Sequence, residues 1–118
     1  MVAMQDVKGE DYTVHVEPDT STVLFQGELC LGGSTEYAPI TDLLNKVIET
    51  KPNTMTLDLR NLGFVNSSGI SMLYKFVLSM QNKKGVQLVV LGSNDVPWQG
   101  KSLKNLEKLL PGLKLDIQ

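Results

Sequence analysis

One histidine, one cysteine and one tryptophan are all that 118 residues contain of these types, and each scarcity excludes a class of chemistry. A lone cysteine, Cys30, cannot form an internal disulfide. Set between Leu29 and Leu31, it reads as a small core residue. A Ser-His-Asp arrangement would have to use His15, and no serine stands in a G-x-S-x-G elbow. No cluster of His, Cys, Asp and Glu has metal-ligand spacing. Neither a G-x-G-x-x-G nor a Walker A sequence is present. Long apolar runs are missing too: none approaches the ~20 residues that span a bilayer. Met1 to Glu10 contains no apolar stretch of the secretory kind. Eleven basic against thirteen acidic residues give a net charge of −2, without the basic surplus that phosphate backbones demand. The lysines 101, 104, 108 and 114 are interrupted by Glu107 and Asp116 and read as a solvated face. These absences predict a cytoplasmic protein that is not an enzyme. It would have no catalytic residues, metal or cofactor, and would bind neither nucleic acid nor membrane.

What is there is the pattern of one α/β domain over 1–118, with residues 1–10 expected as a flexible N-terminal segment. Tyr12, Val14 and Val16 alternate with Thr13, His15 and Glu17, the period of a half-buried strand. A turn at Pro18–Ser21 leads into a second strand over Thr22–Leu29, making a hairpin. Tyr37, Ile40, Leu44 and Val47 have helical spacing over Glu36 to about Thr50, with Ser34 or Thr35 as cap. Pro39 is expected in the first turn of that helix. Met55, Leu57 and Leu59 mark a third strand, followed by a connection from Asn61 to Asn66 and a helix from Ser67 to Lys83. The apolar run Val86–Leu91 fits a central parallel strand. A loop over Gly92–Gly100, a helix over Lys101–Leu110 and a short strand containing Leu113, Leu115 and Ile117 complete the order β-β-α-β-α-β-α-β. That alternation predicts a mixed, mostly parallel sheet with flanking helices.

The most informative stretch is Asn66-Ser67-Ser68-Gly69, delivered by a buried strand to the first turn of a helix. The first amides of a helix lack intrahelical partners, and Asn and Ser are well suited to accept from them. One cap suffices, yet three candidates stand in a row. A helix N-terminus also favours negative charge, so a phosphorylated serine there would leave the fold intact while changing the surface by about two charges. In the next helix, Ile70, Leu73, Val77 and Met80 form a core stripe. Met72 and Phe76 flank it on one side, Tyr74 and Leu78 on the other. Only Ser71, Lys75 and Ser79 make a polar strip, so either neighbouring helices or a partner must cover the flanks.

Asp58-Leu59-Arg60-Asn61-Leu62, Phe64-Val65 and Asn66-Ser67-Ser68-Gly69-Ile70 resemble the signature of the STAS domain, in its free-standing anti-sigma factor antagonist form. The resemblance covers about Tyr12 to Ile117 and implies a bacterial partner-switching protein that regulates transcription or another signalling output. It implies Ser67 as the phosphoacceptor, with Ser68 second. The implied partners are an anti-sigma factor and serine kinase of the histidine-kinase-like ATPase type, and a PPM-type phosphatase. Asn66, Ser67, Ser68, Gly69, Met72 and Phe76 are expected to face the partner. Asn66 departs from the family's usual aspartate. The loop with Pro97 and Trp98 is also unusual, and Trp98 is either an interface anchor or a core residue. The alternative reading is a small-ligand or nucleotide-sensing STAS module without a phosphorylation switch.

Overall fold

Alternation and helical spacing both translate into structure in the computed structural model, which describes residues 5–83 and 85–118. The elements are β1 (Val7–Lys8), β2 (Tyr12–Glu17), β3 (Thr22–Leu29), α1 (Ser34–Glu49), β4 (Thr54–Val65), α2 (Ser67–Ser79), β5 (Gln87–Gly92), α3 (Gln99–Leu109) and β6 (Lys114–Ile117). A single 3₁₀ turn, Met80–Asn82, closes α2. The strands lie in one sheet in the order β1-β2-β3-β4-β5-β6. β1, β2 and β3 pair antiparallel, and β3 to β6 run parallel. The helices stack as α1 on α2 and α2 on α3. Their apolar stripes meet the inward residues of β2 to β5 in one cluster that includes Val14, Val23, Ile40, Leu57, Val77, Val90 and Leu103.

The sequence-based order lacks β1, which lies in the segment expected to be flexible; residues 1–4 of that segment lie outside the described residues. A two-residue strand is too short to show a period. Beside it, His15 Nδ1 is 2.6 Å from Asp6 Oδ1, and its Nε2 is 3.1 Å from Glu17 Oε1. The hydrogen bond that the ring donates to Asp6 raises the imidazole pKa most, burial opposes it, and the charge of Asp6 and the hydrogen bond to and charge of Glu17 add to the rise. A raised folded-state pKa means that the imidazolium contributes stability below the ordinary histidine range. That contribution is lost as pH rises through the folded value. The His15 side chain is 44% exposed, so the effect is local to the β1 edge. Amide exchange at Val7 and Lys8, corrected for intrinsic rates, should be slower below pH ~6 than above pH ~8. Equal protection at both would remove His15 as the clasp.

Three smaller expectations are corrected. α1 begins at Ser34 with Gly33 at the cap position and no side-chain cap, so neither Ser34 nor Thr35 serves there. Pro39 consequently sits in the second turn, where it removes the bond that the Thr35 carbonyl would accept. Cys30 is exposed: Leu29 is the last inward residue of β3, and the next side chain points away from the core.

The largest difference concerns β4. It continues through the expected connection to Val65, making twelve residues where the alternation ends at Leu59. Two register shifts against β3 explain this. Between Leu24 and Gln26 of β3, β4 advances from Asp58 to Asn61, and between Gly27 and Glu28 it advances from Leu62 to Phe64. Each shift is a bulge that inserts one residue and reverses the parity of the residues beyond it. The inward residues are therefore Met55, Leu57, Leu59, Leu62 and Val65, all buried. Gly27 sits at the second bulge with φ +93, and a Cβ there would lie 2.0 Å from the Asp11 carbonyl oxygen. Only glycine fits.

Candidate functional site

β4 pairs with β5 only from Thr54 to Asp58, so Leu59 to Val65 run on past it. The carbonyls of that overhang find side chains instead. Gln99, fully buried at the start of α3, donates its Nε2 to the Leu59 and Leu62 carbonyls and accepts from Ser93 N through Oε1. Trp98 donates its indole N–H to the Leu62 carbonyl at 2.8 Å. Half-buried against the core, Trp98 is a brace and not an exposed anchor. Outward on the same strand, Asp58 is buried beneath Arg60, which donates from Nε and Nη2 to its two oxygens at 3.0 and 2.7 Å. That hydrogen bonding holds the Asp58 carboxyl below its ordinary pKa against the cost of burial.

The overhang delivers Asn66 to the head of α2. Of the three side chains suited to capping, Asn66 is the one that caps. Its backbone is extended (φ −79, ψ 175), and Oδ1 accepts from Gly69 N at 2.9 Å. Its backbone N–H donates to the Leu29 carbonyl at 2.9 Å, and its carbonyl accepts the first helical bond, from Ile70 N at 3.0 Å. Oδ1 also accepts from the Tyr37 hydroxyl at 2.8 Å, while Nδ2 donates to the Leu31 carbonyl at 2.8 Å. The Tyr37 hydroxyl in turn accepts from Leu31 N at 3.2 Å. Burial pushes the Tyr37 phenol up, partly offset by the bond from Leu31. Gly69 is buried below this ring; a Cβ there would stand 2.5 Å from Val65 Cγ1 and 2.7 Å from Tyr37 Oη. With Asn66 capping, Ser67 at the first helical position is exposed and Ser68 is half-buried.

Ser68 opens onto a groove of about 530 Å³ between α1 and α2. Tyr37, Met72 and Phe76 line it, with Thr41, Asp42, Ser71 and Lys75 among its polar residues. Met72 and Phe76 are corrected as surface contacts: they are 7% and 4% exposed, because α1 covers the flank they occupy. Replacing both by polar residues would therefore disturb the core and not only an interface. On the opposite flank the Tyr74 hydroxyl donates to the Ser102 carbonyl of α3 at 3.2 Å, and Leu78 remains 41% exposed. Three residues before Ser67, Phe64 is an exposed apolar side chain, at 45%. Asn66, Ser67 and Ser68 thus stand together at the head of α2 with Gly69 packed beneath them, and Phe64, not Met72 or Phe76, is the exposed apolar side chain beside them in the chain. Tyr37, Gln99 and Phe64 are the site residues that sequence reasoning missed. A tyrosine on a buried helical stripe was the available signal, because its hydroxyl must find a partner.

Fold and site together define a two-layer α/β domain with a fixed, capped turn that displays a serine. The STAS domain model matches residues 12–107, and the chain belongs to the STAS domain family. No curated protein matches it. Among solved structures, the chain is similar to SiaC of Pseudomonas aeruginosa at 15% identity and TM-score 0.73, covering 99% of this chain and 98% of that one. It is similar at 13% identity and TM-score 0.75 to a chain in the complex of the diguanylate cyclase SiaD with its activator SiaC from Pseudomonas aeruginosa, covering 97% and 98%. An anti-sigma factor antagonist from Mycobacterium paratuberculosis is similar at 20% identity and TM-score 0.62, covering 93% and 90%. At these identities the likeness is one of fold. No described helix is long and apolar enough to cross a membrane.

Proposed function

We propose that this chain is a partner-switching signalling protein that binds a protein through the surface around Ser67 and is released by phosphorylation of that serine. The observation that carries the reading is the exposure of Ser67 at the first position of a helix whose cap is already supplied by Asn66. Its hydroxyl has no capping duty, so a phosphate there disrupts no bond of the fold. Phe64, three residues earlier and exposed, gives the partner an apolar contact beside the charge switch. The engagement of both ring nitrogens of its single histidine at the β1 edge by Asp6 and Glu17 supports action by binding and not by turnover.

The fold is shared by a cyclase activator and by an anti-sigma factor antagonist, which supports two kinds of client. The partner that modifies Ser67 is a serine kinase of the histidine-kinase-like ATPase type, a PPM-type phosphatase reverses the mark, and the kinase's client is a sigma factor or a signalling enzyme. Incubation with that kinase and ATP, followed by mass spectrometry, tests the reading. Phosphate on Ser67 is the expected result, phosphate on Ser68 alone moves the switch by one residue, and phosphate on neither ends it. The groove between α1 and α2 favours a second reading, a small-ligand module. Its rim carries one cation, Lys75, opposite one acid, Asp42, which suits a neutral or zwitterionic ligand better than a nucleotide's phosphates.

A further inference from the structure

The cap on α2 does more than cap. Oδ1 of Asn66 accepts two hydrogen bonds, from Gly69 N and from Tyr37 Oη, and Nδ2 donates one to the Leu31 carbonyl. Turning the amide over would put Nδ2 against the Gly69 amide and Oδ1 against the Leu31 carbonyl, so the orientation is fixed by its partners. Tyr37 completes the ring by accepting from Leu31 N while donating to Asn66. The ring joins the loop after β3 and the adjoining start of α1 to the head of α2, which lies about thirty residues further along the chain. Gly69 has no room for a side chain because Tyr37 packs against it.

We infer that Asn66 is a positioning residue whose amide is chemically required: position 66 must accept and donate together, which an aspartate cannot do. As a plain helix cap, aspartate would equal asparagine and gain from the helix dipole. In this ring, however, its second carboxylate oxygen would stand 2.8 Å from the Leu31 carbonyl oxygen, acceptor against acceptor, in a half-buried site. The departure from the family's usual aspartate is therefore matched by Tyr37 and Leu31. The Ser67 turn and the Leu31–Gly33 loop are held as one surface. That functional consequence rests on the switch reading proposed above; the ring itself does not.

Asn66→Asp tests the inference, with the unmodified chain measured beside it at every pH. At pH ~7 its Tm should fall by about 5–10 °C. The gap should narrow in mild acid, where the introduced carboxyl becomes a hydroxyl that can donate to Leu31. The other titratable groups near the ring are Tyr37 itself, Glu36 on α1, Cys30 before the loop and Tyr12 on β2. All are present in both proteins, so their titration cancels in the difference. A variant as stable as the parent at pH ~7, or a deficit that does not change with pH, overturns the inference. A measurement on the parent guards against a variant that does not fold. The Asn66 side-chain amide protons should exchange with solvent at least about ten-fold more slowly than those of exposed Asn53, and equal rates overturn the ring. In the functional arm, kinase-catalysed phosphorylation of Ser67 should slow by roughly ten-fold or more in Asn66→Asp, since the acceptor turn is misplaced. A parent that is never phosphorylated defeats the switch reading, while the thermal and exchange results still decide the ring.

Discussion

Phosphorylation of Ser67 should weaken binding of the proposed partner by two to three decades, Ser67→Glu should lose at least one decade, and Ser67→Ala should bind undiminished. This expected result comes from where the charge sits in two different states. In the free protein the added anion stands at the exposed head of α2, where the helix dipole favours it, and Asn66 keeps the cap. In a complex the same anion must shed water beside Phe64 and whatever the partner brings against it. A cost of about 3–4 kcal/mol for burying a poorly matched dianion corresponds to the stated loss in affinity. Glutamate carries half that charge and reproduces part of the effect. Titration calorimetry with the purified partner measures the affinities, and circular dichroism checks that both variants keep the native spectrum. Equal affinities for the alanine and glutamate variants would sink the mechanism.

Gln99→Leu should be strongly destabilising, with Tm lower by about 10–20 °C. The side chain is fully buried and serves three backbone groups, Ser93 N and the carbonyls of Leu59 and Leu62. Leucine fills similar space but takes away the partner of Ser93 N and of the Leu59 carbonyl, while the Leu62 carbonyl keeps the Trp98 indole. At about 1–3 kcal/mol for each orphaned group, with partial relaxation, the loss comes to roughly 3–5 kcal/mol. Trp98→Phe removes one hydrogen bond to the same overhang and should cost only a fraction of that. Thermal melts of the two variants beside the parent decide the matter. A Gln99→Leu protein melting within about two degrees of the parent would mean that β4 holds its extension without this brace.

Much of the fold was legible because its signals are local. The β2–β3 hairpin, the stripes of α1 and α2 and the apolar run of β5 each declare themselves within one element. So does the site's centre, since Asn66-Ser67-Ser68-Gly69 carries the capping chemistry in consecutive residues. What escaped is what depends on parity and on distant contacts. The two bulges in β4 reverse inside and outside twice within eight residues, so a strand looked like a loop. Met72 and Phe76 looked like free flank because the residues that cover them lie on α1, some thirty places earlier in the sequence. The glutamine that braces the overhang has no sequence signature at all. Its role exists only because α3 begins where β4 has outrun β5.

Strand order in space repeats strand order in sequence, from β1 at one edge to β6 at the other. Every ladder therefore joins neighbours along the chain, with at most one helix between them, which keeps loop-closure costs low and favours rapid folding. A nascent chain leaving the ribosome can add each strand to the last edge as it emerges, with no earlier strand waiting for a later one to be inserted beside it. The turn that displays Ser67 is the exception. Its cap partners Tyr37 and Leu31 are already made when α2 forms, but the strand that carries it gains its brace only when Gln99 arrives. The turn that displays Ser67 is completed only once Gln99 has been made, after most of the sheet that supports it.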